Sequence, residues 1–123
     1  MKRSDRNKAY DVAISTTGRM MQIGLAIEEM SELIKELIKE GIRGKKNNIP
    51  QITEEIADFQ VMLETLKRLY NISDMAIAKV MDVKIKYMLD KMKRIQNGED
   101  VTTFSSHDFI NKEAQNKTTE KTR

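Results

Sequence analysis

The chain has a single proline, Pro50, and five glycines in 123 residues, and four of those glycines, Gly18, Gly41, Gly44 and Gly98, stand where an apolar periodicity stops. Glycine and proline are the strongest local breakers of regular structure. A sequence that keeps them at the joints leaves long uninterrupted stretches between, and in those stretches apolar residues recur every three or four positions, the spacing of one helical face. With 39% hydrophobic and 33% charged residues the chain is too apolar for wholesale disorder and too poor in turn residues for a β-fold. An all-α fold is expected, with the length of one domain.

Four helices are predicted. Residues 4–15 form a short first one, with Ser4 as N-cap and Tyr10, Ala13 and Ile14 as its apolar face. Thr16, Thr17 and Gly18 break it, and a second helix runs over residues 17–40 until Gly41 and Gly44 end it and residues 45–50 form a loop. A third starts at Thr53 as N-cap, with Glu54 and Glu55 in its first turn, and ends near Tyr70 and Asn71. Ser73 and Asp74 open the fourth, whose Ala78, Met81, Ile85, Met88, Met92 and Ile95 form a heptad-like seam stopped by Asn97 and Gly98. The expected architecture is an antiparallel helical bundle over residues 1–98, three long helices and a short one. Residues 99–123 are polar and read as a flexible tail.

Composition removes much chemistry. No cysteine excludes disulfides, thiolate zinc sites, iron–sulfur clusters and a cysteine nucleophile. The only histidine, His107, lies in the polar tail, so neither a Ser-His-Asp triad nor a His-containing di-iron bundle has its imidazole. Catalysis would fall to carboxylates, Lys or Arg. No apolar run has the length of a membrane span, and MKRSDRNKAYD carries charge with no apolar region behind it, so a soluble cytoplasmic protein is expected. The net charge of +3 is 22 basic against 19 acidic residues, a weak signal for nucleic acid.

The acids are not distributed as solubilising charges would be. On a helical wheel the second helix has one stripe of Ile23, Ala26, Ile27, Met30, Ile34 and Leu37, which reads as ordinary core. Beside it runs a second stripe of Gln22, Leu25, Glu29, Glu32, Leu33, Glu36 and Glu40, where carboxylates alternate with leucines. In the third helix Ile56, Phe59, Met62, Leu63, Leu66, Leu69 and Tyr70 define an apolar arc that contains Glu55 and has Asp58 at its edge. A carboxylate on the core side of a helix is costly unless a cation or hydrogen-bond donors meet it. The pairs Glu29-x-x-Glu32 and Glu55-x-x-Asp58 each share a helix face, and two antiparallel helices would bring the four together. A hard divalent cation relieves their repulsion. Oxygen-only ligation selects magnesium, manganese or calcium over zinc or copper.

The stretch Gln22-x6-Glu29-Met-Ser-Glu32-Leu, followed after a loop by Thr53-Glu-Glu55-Ile-Ala-Asp58, closely resembles the signature of the MazG-like all-α NTP pyrophosphatases, over residues 18–98. The resemblance implies that Glu29, Glu32, Glu55 and Asp58 hold Mg2+, with Mn2+ as a substitute, and that a nucleoside triphosphate is hydrolysed to the monophosphate and pyrophosphate. One of these acids, or Glu36 a turn further on, would take the proton of the attacking water. Lys84, Lys91 and Arg94 of the fourth helix would meet the phosphates, and Gln22 would line the substrate pocket. The Asn that the family often has near the fourth helix has no counterpart between Asp74 and Arg94. The excess of apolar stripe over what one such chain can bury predicts self-association, and the resemblance implies a homodimer or homotetramer in which oligomerisation completes a four-helix core. Neither a membrane nor nucleic acid is expected as a partner. The competing reading is a small helical interaction or nucleic-acid-binding module without catalysis, which would gain nothing from acids placed inward.

Overall fold

The computed structural model describes residues 1–44 and 47–100. Among these residues every regular element is helical: α1 (Arg3–Thr17), α2 (Arg19–Gly41), α3 (Ile49–Leu69) and α4 (Asp74–Gln96). They divide into two compact units, Met1–Ile72 with α1 to α3, and a second beginning at Ser73 with α4. No helix among the described residues is long and apolar enough to cross a membrane. The tail reading falls almost wholly on residues 101–123, outside the described residues.

Helix existence follows the periodicity, while boundaries differ from expectation. Thr16 and Thr17, expected to break α1, are its last two residues, α2 starts at Arg19 and not Thr17, and the starts of α1 and α3 move earlier. Helix α1 starts a residue earlier than predicted, with Lys2 in the N-cap position and no side-chain cap, since the Ser4 hydroxyl turns to Asp5 instead. Helix α3 starts at Ile49, four residues before the predicted Thr53. Pro50 lies in its first turn, where the missing N–H costs nothing and the fixed φ suits the helix. Thr53 is thus inside the helix, its hydroxyl donating to the Ile49 carbonyl at 2.8 Å. The end of α3 is closed by a Schellman arrangement, with Asn71 at φ 54° and the N–H of Ile72 donating to the Lys67 carbonyl at 2.8 Å. Helix α4 matches expectation at both ends. The Ser73 hydroxyl accepts from the Ala76 N–H at 3.1 Å, and Gly98 at φ 81° ends it.

Within the first unit, α2 and α3 lie antiparallel, as three contacts along their length show. Arg19 at the start of α2 stacks over the ring of Tyr70 just past the end of α3, 4.5 Å from its centroid. Glu29 meets Glu55 and Asp58 midway. Glu36 near the end of α2 meets Asn48 at the start of α3. Helix α1 docks on α3 through Arg68, whose guanidinium forks onto the Asp11 carboxylate with Nε 2.7 Å from Oδ1, the two-bond geometry that makes an Arg pair specific.

The side of α2 that faces α3 is not the one expected to be core. Ile27 and Ile34 are each 57% exposed and Leu37 48%, and of that stripe only Ala26 is buried. The covered side is the stripe of mixed acids and leucines, with Gln22 and Glu36 buried and Leu25, Glu29, Glu32 and Leu33 half-buried. The arc of α3 is covered in part: Met62 is buried and Glu55, Phe59, Leu66 and Leu69 half-buried, while Ile56, Leu63 and Tyr70 are exposed, and Thr65, outside the expected arc, is buried. In α4 the residues of the seam, from Ala78 to Ile95, are all exposed.

The chain turns from α1 into α2 at a glycine. Gly18 has φ 82° and ψ 168°, a region that only glycine occupies at low cost. Gly18→Ala should lower the unfolding free energy by about 1–3 kcal/mol, read as a shift of the urea midpoint at unchanged slope. An unchanged midpoint would show that the joint relaxes without loss.

Candidate metal centre

Glu29 on α2 and Glu55 and Asp58 on α3 each present a carboxylate oxygen such that the three oxygens lie within 4.8 Å of one another. The cause is local and simple. Residues three apart project from one side of a helix, so Glu55 and Asp58 form a pair, and the antiparallel packing sets Glu29 opposite them. Glu29 and Glu55 are half-buried and Asp58 is exposed, so the group sits at the edge of the helix interface with one side open to solvent.

The fourth motif acid stands beside this group. Glu32 accepts from Lys35 Nζ at 2.8 Å, yet its charge acts on Glu55, as do those of Asp58 and Glu29. The carboxyls of Glu29 and Glu55 are both raised above the ordinary glutamate value. Loss of hydration between the helices is the larger cause for each. The next is the charge of Asp58 for Glu29 and of Glu32 for Glu55.

These donors fit a hard divalent ion. An octahedral magnesium shell puts oxygens about 2.9 Å apart between neighbours and about 4.2 Å apart across the ion, and a calcium shell spans up to about 5 Å. Three carboxylate oxygens within 4.8 Å of one another fall inside the span of a calcium shell, and would close by a few tenths of an ångström to meet a magnesium ion. Among the described residues there is no histidine or cysteine to favour a softer metal.

The remaining sequence-predicted residues are distributed differently. Glu36 is 7% exposed, and its Oε1 accepts from Lys39 Nζ at 2.6 Å while its Oε2 accepts from Asn48 Nδ2 at 3.4 Å. It lies outside the three-acid group. Gln22 is 4% exposed, and its Nε2 donates to the Thr17 hydroxyl at 2.6 Å, so its amide nitrogen ties α2 to the end of α1. Lys84, Lys91 and Arg94 are on α4, in the second unit. Arg94 Nε donates to Glu99 at 2.6 Å. Sequence reasoning missed Asn48, because with the helix start read at Thr53 it fell inside the loop of residues 45–50. It also missed Lys35 as the partner of Glu32, although the i, i+3 spacing carried that signal.

The raised carboxyls dictate a pH dependence. The folded chain binds protons at Glu29 and Glu55 more tightly than the unfolded chain does. Their ionisation therefore costs stability in full above the raised values, and the cost is relieved as pH falls through them toward the ordinary glutamate range. Glu55→Gln should raise Tm of the cation-free protein at about pH 7.5, with the gain shrinking toward about pH 4. Excess Mn2+ should raise the Tm of the unsubstituted chain at about pH 7.5 and less at about pH 4.5, because protonation competes with the ion. A scanning-calorimetry series that is flat with pH for both comparisons would contradict the assigned electrostatics. No family model matches the chain, and neither a curated protein nor a solved structure matches it.

Proposed function

We propose that the chain is a magnesium-dependent nucleoside triphosphate pyrophosphohydrolase, which converts a ribo- or deoxyribonucleoside triphosphate and water to the monophosphate and pyrophosphate. The observation that carries this reading is the convergence of Glu29, Glu55 and Asp58, three of the four acids that the MazG-like resemblance singles out, at the spacing of one cation shell.

In this reading Glu29, Glu55 and Asp58 hold the ion, with Glu32 joining them when it leaves Lys35. When bound, magnesium offsets phosphate charge, polarises the α-phosphoryl group and makes a bound water more acidic. The protein's own part is to place acids and exclude bulk water along one side of the site. In the reaction a water oxygen bonds to the α-phosphorus, the bond from that phosphorus to the bridging oxygen of the β-phosphate breaks, and pyrophosphate leaves with the bridging oxygen. A carboxylate must accept the water's proton. The base is whichever carboxylate oxygen of this group the ion leaves free. Glu36 is less suited, because both its oxygens are already engaged. Lys84, Lys91 and Arg94 of α4 are the cations that the resemblance assigns to the phosphates.

Self-association belongs to the same proposal. Ile27, Ile34 and Leu37 on the outer side of α2 form an apolar stripe exposed to solvent, and a homodimer or homotetramer would cover it. Ile27→Lys combined with Ile34→Lys should then reduce the mass measured by light scattering to that of one chain, with helical content retained. An unchanged mass would remove this stripe from the interface.

Pyrophosphate release from a panel of ribo- and deoxyribonucleoside triphosphates, with and without Mg2+, tests the activity. Turnover should require the cation and fall below detection in Glu55→Gln. Glu64→Gln, which removes an acid that pairs with Lys67 at 2.7 Å, should change turnover by no more than about twofold, as surface substitutions do. Absence of turnover across the panel, together with nucleic-acid binding unaffected by either substitution, would favour the non-catalytic binding module.

A further inference from the structure

We propose that Asn48 is a positioning residue, a clasp that sets the register of α3 against α2 and thereby brings Glu55 and Asp58 opposite Glu29. The inference rests on the metal-centre reading for its functional meaning, while the register itself can be measured without any metal.

Asn48 occupies the N-cap position of α3, where an Asn ordinarily turns its side chain onto its own helix. Here it makes no such cap. Its Nδ2 instead reaches across to α2, donating to the main-chain carbonyl of Glu36 at 3.2 Å and to the Glu36 carboxylate at 3.4 Å. The residue is 1% exposed, and its Oδ1 is buried without a hydrogen-bond partner among the described residues. A buried acceptor left unmatched is unfavourable, so the placement of this amide is supported by its donor side alone. Lys39 completes the clasp by holding the other Glu36 oxygen at 2.6 Å.

The position of the clasp gives it leverage. Glu36 follows Glu29 by seven residues on α2, and Glu55 follows Asn48 by seven on α3. Seven residues are two helical turns, about 10.5 Å, so clasp and acid pair are equally spaced along two antiparallel helices. A contact that matches Asn48 to Glu36 consequently matches Glu55 to Glu29. Slippage of α3 by one residue would rotate its acids by about 100° and part them from Glu29. The Arg19–Tyr70 stack lies at the far end of both helices, so the clasp is the polar tie nearest this end.

The test uses the full chain, which has no native cysteine to interfere. Nitroxide labels are placed at Gly24→Cys on α2, where nothing lies within 4 Å of an added Cβ, and at Gln60→Cys on α3. Dipolar EPR then reads the interhelix distance without cation, and Mn2+ binding is titrated on the unlabelled chain. In Asn48→Ala the distance distribution should shift or broaden and Mn2+ affinity should fall by about tenfold, as it does when groups that orient metal ligands are removed. Asn48→Asp, which sets a carboxylate against Glu36, should do the same. Adding Glu36→Gln to Asn48→Asp should recover part of both, because the amide donor is then supplied from α2. This rescue separates a clasp from general loss of packing, and it serves also if Asn48→Ala fails to fold. An unchanged distance distribution in both single variants would overturn the proposal. A changed distribution in a chain whose unsubstituted form binds no Mn2+ would uphold the clasp and defeat the metal-centre reading instead.

Discussion

The structure of the first unit depends on an unusual allocation of faces, in which α2 turns its acids and leucines toward α3 and leaves its cleaner apolar stripe outside. Burying Gln22, Glu29 and Glu36 at a helix interface costs hydration that Ile27 and Ile34 would not have cost. Such placement is stable only where partners offset the loss. Gln22 has Thr17, and Glu36 has Lys39 and Asn48. For Glu29 and Glu55, dehydration and neighbouring acids instead raise the affinity for a proton. The unmet demand for positive charge at this one point is the physical basis of the proposed metal centre.

Outward-facing isoleucines and leucines are the other side of the same allocation. Half-exposed Ile27, Ile34 and Leu37 on α2, and the exposed seam of α4, carry apolar area in continuous rows at helical spacing. A row of this kind is what an assembling helix presents to a partner. Acids directed into the chain and hydrophobes directed out of it are together consistent with a site made within one hairpin and supported by association of copies, as proposed.

Much of this was legible in the residues. Four helices, the break at Gly18, the Ser73 cap and the stop at Gly98 all followed from local chemistry, because caps and glycine conformations are decided within a few residues. The pairing of Glu29 with Glu55 and Asp58 was legible too, since spacing of three on two neighbouring helices permits little else. The start of α3 was misread because Thr53 and Pro50 both carry start signals, and Pro50 wins by suiting the first turn. The core stripe of α2 was misjudged for a deeper reason. Helical periodicity orders residues around an axis but says nothing about which neighbour each side meets.

By itself, then, the sequence determined the helices, their ends within a few residues, and the acids that share a face. These are consequences of backbone conformation and of side-chain spacing along a single helix. Only the tertiary structure decided that the acidic stripe of α2 faces α3, that Gln22 and Glu36 serve the joints between helices, and that Asn48 reaches across instead of capping its own helix. Each of those outcomes turns on free-energy differences between alternative pairings of surfaces, to which residues far apart in the chain contribute together.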